Sequence, residues 1–121
     1  MQTRVLIADD RPRCRSGLKV VLALRPEIRV VGESANGQET VRLMEKLRPD
    51  VVLMDVKMPV MDGLEATRII KERWPGVKVI VLTIYADYRA EALTAGADAF
   101  LVKGCPAEEL LKAILTSESC G

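Results

Sequence analysis

The stretch Val51-Val52-Leu53-Met54-Asp55-Val56-Lys57-Met58-Pro59-Val60-Met61-Asp62-Gly63 decides how this chain folds. Its first four residues are apolar without alternation, the pattern of a strand covered on both faces. Asp55 ends that run, and Asp62, with Glu65 three residues on, carries the signature of a helix N-terminus. A strand, a loop that begins with a carboxylate and a helix therefore follow one another. The first half of that unit recurs in VLIADD, ending at Asp9 and Asp10, in VIVLT, ending at Thr83, and in AFLVK, ending at Lys103.

Helical spacing fills the intervals, with apolar stripes from Cys14, Leu18, Val21 and Leu22, from Val41, Met44 and Leu47, and from Ala66, Ile69, Ile70 and Trp74. Pro12 and Pro106 suit first helical positions, and Asn36 with Glu39 repeats the capping pattern of Asp62 with Glu65. Pro49, Pro75-Gly76 and Gly96 are stops. Residues 87–95 offer only a narrow stripe of Ala90, Leu93 and Thr94, which predicts the least firmly anchored helix. The last helix is expected from Pro106 to about Thr116, with Leu110, Leu111, Ile114 and Leu115 inward.

The runs 5–8, 51–54, 77–82 and 99–102 read as central strands, and 28–32, broken by Arg29, as a strand nearer an edge. Alternating strands and helices predict right-handed crossovers and an open parallel sheet covered on both faces. Ligands of such sheets bind beyond the carboxyl ends of the strands, where the strand order reverses. Asp9, Asp10, Asp55, Thr83 and Lys103 stand at those ends.

The 121 residues, 49% hydrophobic and 29% charged, suit one folded domain with an ordinary core. A net charge of +1 is too small to gather nucleic acid or anionic lipid, so no direct nucleic-acid binding is expected. Cys14, Cys105 and Cys120 form an odd set without metal-ligand spacing, which points to a reducing compartment, the cytoplasm. Neither a leader nor a membrane span is expected. Histidine is absent, which removes Ser-His and Cys-His mechanisms from this chain.

Three clustered carboxylates repel one another unless a cation joins them, and hard oxygens are what Mg2+ prefers. A carboxylate can also attack phosphorus when metal and a fixed cation neutralise the transferring oxygens. Asp55, just before a loop, is best placed to attack, with Lys103 pairing one phosphoryl oxygen and the Thr83 hydroxyl donating to another.

These residues resemble the CheY-like receiver domain of two-component response regulators. The match runs from Asp9-Asp10 through MDVKMPVMDGLEATR and Thr83 to Lys103, and the phrases DDRPRCRSGL, LTIYADYRAEALTAGADAFLVKG and PAEELLKAI are most similar to receivers of the NarL/LuxR type. The resemblance implies a flavodoxin-like (βα)5 sandwich with strand order 2-1-3-4-5. It implies a receiver domain over residues 1–117, with 118–121 a tail, and a sensor histidine kinase as phosphoryl donor to Asp55. It further implies Mg2+ held by Asp10, Asp55 and the Lys57 carbonyl, with Asp9 acting through water. Thr83 and Phe100 become the switch, altering the face of the fourth helix, fifth strand and fifth helix. A C-terminal helix-turn-helix output domain that controls transcription, and a homodimer formed on phosphorylation, complete the expectation.

Three departures stand out. Phe100 replaces the tyrosine of many relatives, so packing alone is expected to hold its ring. Gly104 replaces a proline that follows a cis bond in many relatives, which carries over the expectation of a cis Lys103–Gly104 bond. Lys57 and Tyr85, each two residues beyond a site residue, are expected to flank the phosphoryl group and slow its loss. The basic group Arg11, Arg13, Arg15 and Lys19 is either a solvated helix back or a docking surface for an acidic patch on the kinase. Two rivals compete with this reading. A haloacid-dehalogenase-like phosphatase shares the Asp, Thr, Lys and magnesium set but places a DxD motif where this chain has adjacent acids. A non-phosphorylated pseudo-receiver is opposed by the intact set of five. The reading is a signalling domain, not a turnover enzyme, with autodephosphorylation as the one reaction it is allowed.

Overall fold

The computed structural model describes residues 2–116. The expected domain end at residue 117, the tail 118–121 and Cys120 lie outside them. Strands β1 (Thr3–Ala8), β2 (Ile28–Ser34), β3 (Val51–Met54), β4 (Lys78–Thr83) and β5 (Ala99–Val102) form one parallel sheet in the order β2-β1-β3-β4-β5. Helices α1 (Pro12–Leu22), α2 (Gly37–Leu47), α3 (Gly63–Arg73), α4 (Arg89–Thr94) and α5 (Ala107–Leu115) alternate with them, and a 3₁₀ turn, Ala86–Tyr88, precedes α4. This is the flavodoxin-like arrangement expected from the sequence.

Alternate residues of each strand face opposite sides, which explains why the runs are apolar throughout. Val5, Ile7, Leu53, Ile80 and Leu82 pack with Leu22 of α1 and Leu110, Leu111 and Ile114 of α5. Leu6, Ala8, Val52, Met54, Val79 and Val81 pack on the other side with Met44 of α2, Ala66 and Ile70 of α3 and Ala92 of α4. Two cores, one on each face, fix the sheet and thereby its carboxyl edge.

The expected caps form. Asn36 accepts from the Glu39 amide at 2.7 Å while Glu39 accepts from the Ala35 amide at 3.0 Å, and Asp62 accepts from the Glu65 amide at 2.9 Å. Arg48, in the left-handed region at φ 47, closes α2 before Pro49, and Gly96 at φ 106 turns the chain after α4.

Three expectations are corrected. The run 99–102 is an edge strand, because among the described residues no strand pairs with β5 except β4, and Val102 is 37% exposed. In α4 the inward residue is Ala92, joined by Ala95 just after the helix, while Ala90, Leu93 and Thr94 face out. The stripe misled because Ala92 and Ala95 form an apolar i, i+3 pair just as Ala90 and Leu93 do, and spacing within six residues does not say which pair faces the sheet. Pro106 is the N-cap of α5 instead of its first residue, since its ψ of 140 is extended while its carbonyl already accepts from Glu109.

Candidate functional site

The parallel ladder continues one residue past three strands, and each extra step holds a polar residue. The Asp9 amide donates to the Ser34 carbonyl at 3.0 Å, the Asp55 amide to the Ala8 carbonyl at 2.9 Å, and the Lys103 amide to the Thr83 carbonyl at 2.8 Å. Asp9, Asp55 and Lys103 are thus carried by the sheet, beside the point where the chain leaves β1 for β2 on one side and β3 on the other.

The side chains converge. Lys103 Nζ lies 2.6 Å from Asp9 Oδ2 and 2.8 Å from Asp55 Oδ2, with Asp9 and Asp55 buried. The remaining oxygen of Asp9 accepts from the Arg11 amide at 2.9 Å, and that of Asp55 from the Val56 amide at 2.7 Å. Burial by itself would depress the Lys103 ammonium. The hydrogen bonds with Asp55 and Asp9 outweigh it and raise its pKa above the usual lysine value, so Lys103 stays charged. Asp10 is exposed, yet Asp9, Asp10 and Asp55 offer oxygens within 4.8 Å of one another.

That donor set fits a magnesium ion. It supplies hard carboxylate oxygens from two adjacent loops, with Asp10 open to solvent for an ion that keeps several waters.

Glycine makes the approach of α3 possible. The Gly63 amide donates to the Val56 carbonyl at 2.8 Å, and a Cβ at Gly63 would lie 1.8 Å from the Asp55 carbonyl oxygen. Opposite, Arg15 clamps β1 to β2: its guanidinium donates to the Asp9 carbonyl and to Glu33 at 2.9 Å, and Lys19 joins Glu33 at 2.7 Å. Two of the four residues of the basic group are therefore engaged within the chain, while Arg11 and Arg13 remain exposed. The sequence offered a signal for Gly63 in the Asp62-Gly63 pair. It offered none for Arg15, whose partners are distant in sequence.

Thr83 is fully buried, its hydroxyl oxygen 3.4 Å from the Tyr85 amide that donates to it. The Phe100 ring is buried, paired across the ladder with Val81, and the Arg89 guanidinium lies 5.2 Å from its centroid. A cation therefore adds to the packing that alone was expected to hold this ring. Lys57 is exposed, and its ammonium lies over the rings of Tyr88, at 5.3 Å, and Tyr85, at 5.6 Å. The Tyr88 side chain, followed by Tyr85 and Asp87, holds the Lys57 pKa above its usual value.

The Lys103–Gly104 bond is trans, as no cis peptide occurs among the described residues, and Gly104 turns the chain at φ 94 instead. Without proline a cis bond costs about 2.5–4 kcal/mol, and a left-handed glycine reverses the chain without it. Cys14 and Cys105 are free thiols, and burial, with Glu109 nearby, pushes the Cys105 thiol up. Among the described residues no helix is long and apolar enough to cross a membrane.

An open parallel sheet with three carboxylates and a lysine gathered at its carboxyl edge defines a class of α/β domain whose site lies at the topological switch point. The chain belongs to the response regulator receiver domain family, whose model matches residues 5–115. It is similar to the transcriptional regulatory protein LnrK of Bacillus subtilis (strain 168), 42% identical over 98% of this chain and 54% of that protein. It is also similar to the nitrate/nitrite response regulator protein NarL of Escherichia coli (strain K12), 37% identical over 91% of this chain and 52% of that protein. The chain spans about half the length of these curated relatives. Among solved structures it superposes on the signal receiver domain of the putative response regulator NarL from Mycobacterium tuberculosis with a TM-score of 0.88, at 32% identity over 94% of each chain. A LuxR-family two-component response regulator from Aurantimonas sp. SI85-9A1 gives a TM-score of 0.88, at 32% identity over 94% of this chain and 83% of that one. The chain is a receiver domain of the NarL/LuxR type, a signalling module and not an enzyme in the ordinary sense.

Proposed function

We propose that Asp55 accepts a phosphoryl group from the phosphohistidine of a sensor histidine kinase, and that this switches the face formed by α4, β5 and α5. The observation that carries the reading is the Lys103 ammonium shared between Asp55 at 2.8 Å and Asp9 at 2.6 Å at the carboxyl edge of the sheet. One carboxylate oxygen of Asp55 forms the new bond to phosphorus as the bond from phosphorus to the imidazole nitrogen breaks, and the electron pair leaves with the imidazole. Lys103 neutralises one phosphoryl oxygen and the Thr83 hydroxyl donates to another.

Mg2+ would be held by Asp10, Asp55 and the Lys57 main-chain carbonyl, with Asp9 reached through water. When bound it supplies positive charge that offsets the charge of the phosphoryl oxygens. Thr83 reports the modification, and the Phe100 ring answers by repacking beside Val81. Slow loss of the phosphoryl group to water, tuned by Lys57 and Tyr85, resets the domain.

The relatives support a reading of the output. One is named a transcriptional regulatory protein, and another solved neighbour, from Staphylococcus aureus, is a DNA-binding response regulator of the LuxR family. A helix-turn-helix domain C-terminal to this receiver, a phosphorylation-dependent homodimer and a cytoplasmic site of action belong to the same proposal. Incubation with acetyl phosphate and Mg2+, followed by intact-mass measurement, tests the first step. Wild type gains one phosphoryl group and Asp55→Asn gains none; equal gain by both variants contradicts it.

A further inference from the structure

Tyr88 and Arg89 are consecutive residues at the start of α4, and each is tied by a cation–aromatic contact to a different part of the domain. On one side the Tyr88 ring, with the Tyr85 ring set edge-on to it at 84° and 6.1 Å, carries the Lys57 ammonium. Lys57 belongs to the loop that begins with Asp55. On the other side the Arg89 guanidinium covers the ring of Phe100, on the edge strand. Only Ala92 of α4 is buried, so little apolar contact resists rotation of that helix about its first turn.

A lysine ammonium is a point charge on a flexible stem, and it pairs far more strongly with a phosphoryl dianion than with two aromatic faces. It cannot serve both. Drawing Lys57 toward a phosphoryl oxygen on Asp55 removes the cation from Tyr88, and the change reaches Arg89 through a single peptide bond.

We propose that Tyr88 is a positioning residue that holds Lys57 over the aromatic pair, and that release of Lys57 moves the Tyr88–Arg89 step so that Arg89 leaves Phe100. This relay rests on Asp55 being the phosphoryl acceptor. It runs beside the Thr83 route and reaches the same ring from outside.

Phe100 is the only phenylalanine, so para-fluorophenylalanine gives one fluorine resonance. The resonance of wild type before and after acetyl phosphate with Mg2+ defines two reference positions, and intact mass records phosphorylation separately. In the unmodified chain Tyr88→Leu and Lys57→Met each displace the resonance toward the phosphorylated position. The ratio of the two forms changes about two- to fivefold, the worth of an exposed cation–aromatic contact. Tyr88→Phe loses only the hydroxyl and keeps the ring under Lys57, so it stays at the wild-type position; a displacement equal to that of Tyr88→Leu overturns the ring contact as the hold on Lys57. The double variant moves no further than either single one.

A resonance unmoved by Tyr88→Leu and Lys57→Met, or displacements that add in the double variant, overturns the relay. Lys57 is exposed, so Lys57→Met keeps the test decisive where Tyr88→Leu unfolds. Absence of phosphoryl gain in wild type overturns the reading of Asp55. Phosphoryl gain with an unmoved resonance in both single variants overturns the relay alone.

Discussion

The Lys103 ammonium stands 2.8 Å from the Asp55 carboxylate although 48 residues separate them in sequence. The parallel ladder brings both to one edge of the sheet, because Asp55 extends β3 onto β1 and Lys103 extends β5 onto β4, and the long lysine side chain spans the intervening strand. Lys103 is 15% exposed, against 8% for Asp55 and 2% for Asp9, so the cluster is mostly withdrawn from water.

Removing the cation leaves two buried carboxylates without a counter-charge. Lys103→Gln is expected to cost about 3 kcal/mol of stability at neutral pH, the lower end for breaking a buried pair because the ammonium keeps some water. Urea denaturation of the variant and wild type measures it, and addition of Mg2+ restores part of the loss. A midpoint equal to that of wild type contradicts the assignment.

Magnesium is expected to raise the melting temperature of wild type in proportion to the logarithm of its concentration above the dissociation constant. Asp10 is the exposed member of the carboxylate group, and Asp10→Asn abolishes that rise while leaving the melting temperature without metal close to wild type. Thermal scans with and without MgCl2, chelator included as control, check both statements.

At Gly63 the limit is steric. A methyl group 1.8 Å from the Asp55 carbonyl oxygen forces α3 away from the loop that carries the acceptor. Gly63→Ala is expected to destabilise the domain by about 1–3 kcal/mol and to slow phosphorylation by acetyl phosphate. The same substitution at Gly17, with open space around its Cβ, serves as control and costs nothing through steric contact.

Glu33 gives a pH dependence. The hydrogen bond from Lys19, opposed by a smaller burial penalty and helped by Arg15, holds its carboxyl below the usual carboxylate value. A depressed folded pKa contributes stability above the unfolded pKa and loses it as pH falls through the folded one. Glu33→Gln therefore lowers stability at neutral pH by up to about 1 kcal/mol, as for an exposed pair. The difference between variant and wild type shrinks steadily with acidification below about pH 4. Paired thermal melts across that range measure the difference; a gap that widens on acidification contradicts the account.

The sheet was legible because a strand buried on both faces has to be apolar without a break, and its end is marked where polarity returns. That rule read β1, β3 and β4 correctly and mistook β5 for a central strand, since Phe100 and Leu101 are apolar whether or not another strand lies beyond them. Position on the sheet is a tertiary fact. Asp9, Asp55 and Lys103 were found together because they end strands, which local sequence reveals. Arg15 was read only as one of a basic group, and Arg89 was not singled out, because each acts through a partner on another element, Glu33 in one case and Phe100 in the other. The face of α4 was misread because Ala92 with Ala95 and Ala90 with Leu93 are both apolar i, i+3 pairs, and which of them meets the sheet is again a tertiary fact. Nor did the sequence reveal that the Lys57 ammonium lies over the rings of Tyr85 and Tyr88.

The central claim is that the acyl phosphate forms on Asp55, and its chemistry allows the residue to be located directly. Borohydride reduces an acyl phosphate on aspartate to homoserine, leaving free carboxylates unchanged. After treatment with acetyl phosphate and Mg2+, reduction and peptide mass mapping should place homoserine at position 55 alone. Homoserine at position 9 or 10 with position 55 unchanged, or none in a chain that has gained phosphoryl mass, would contradict the account.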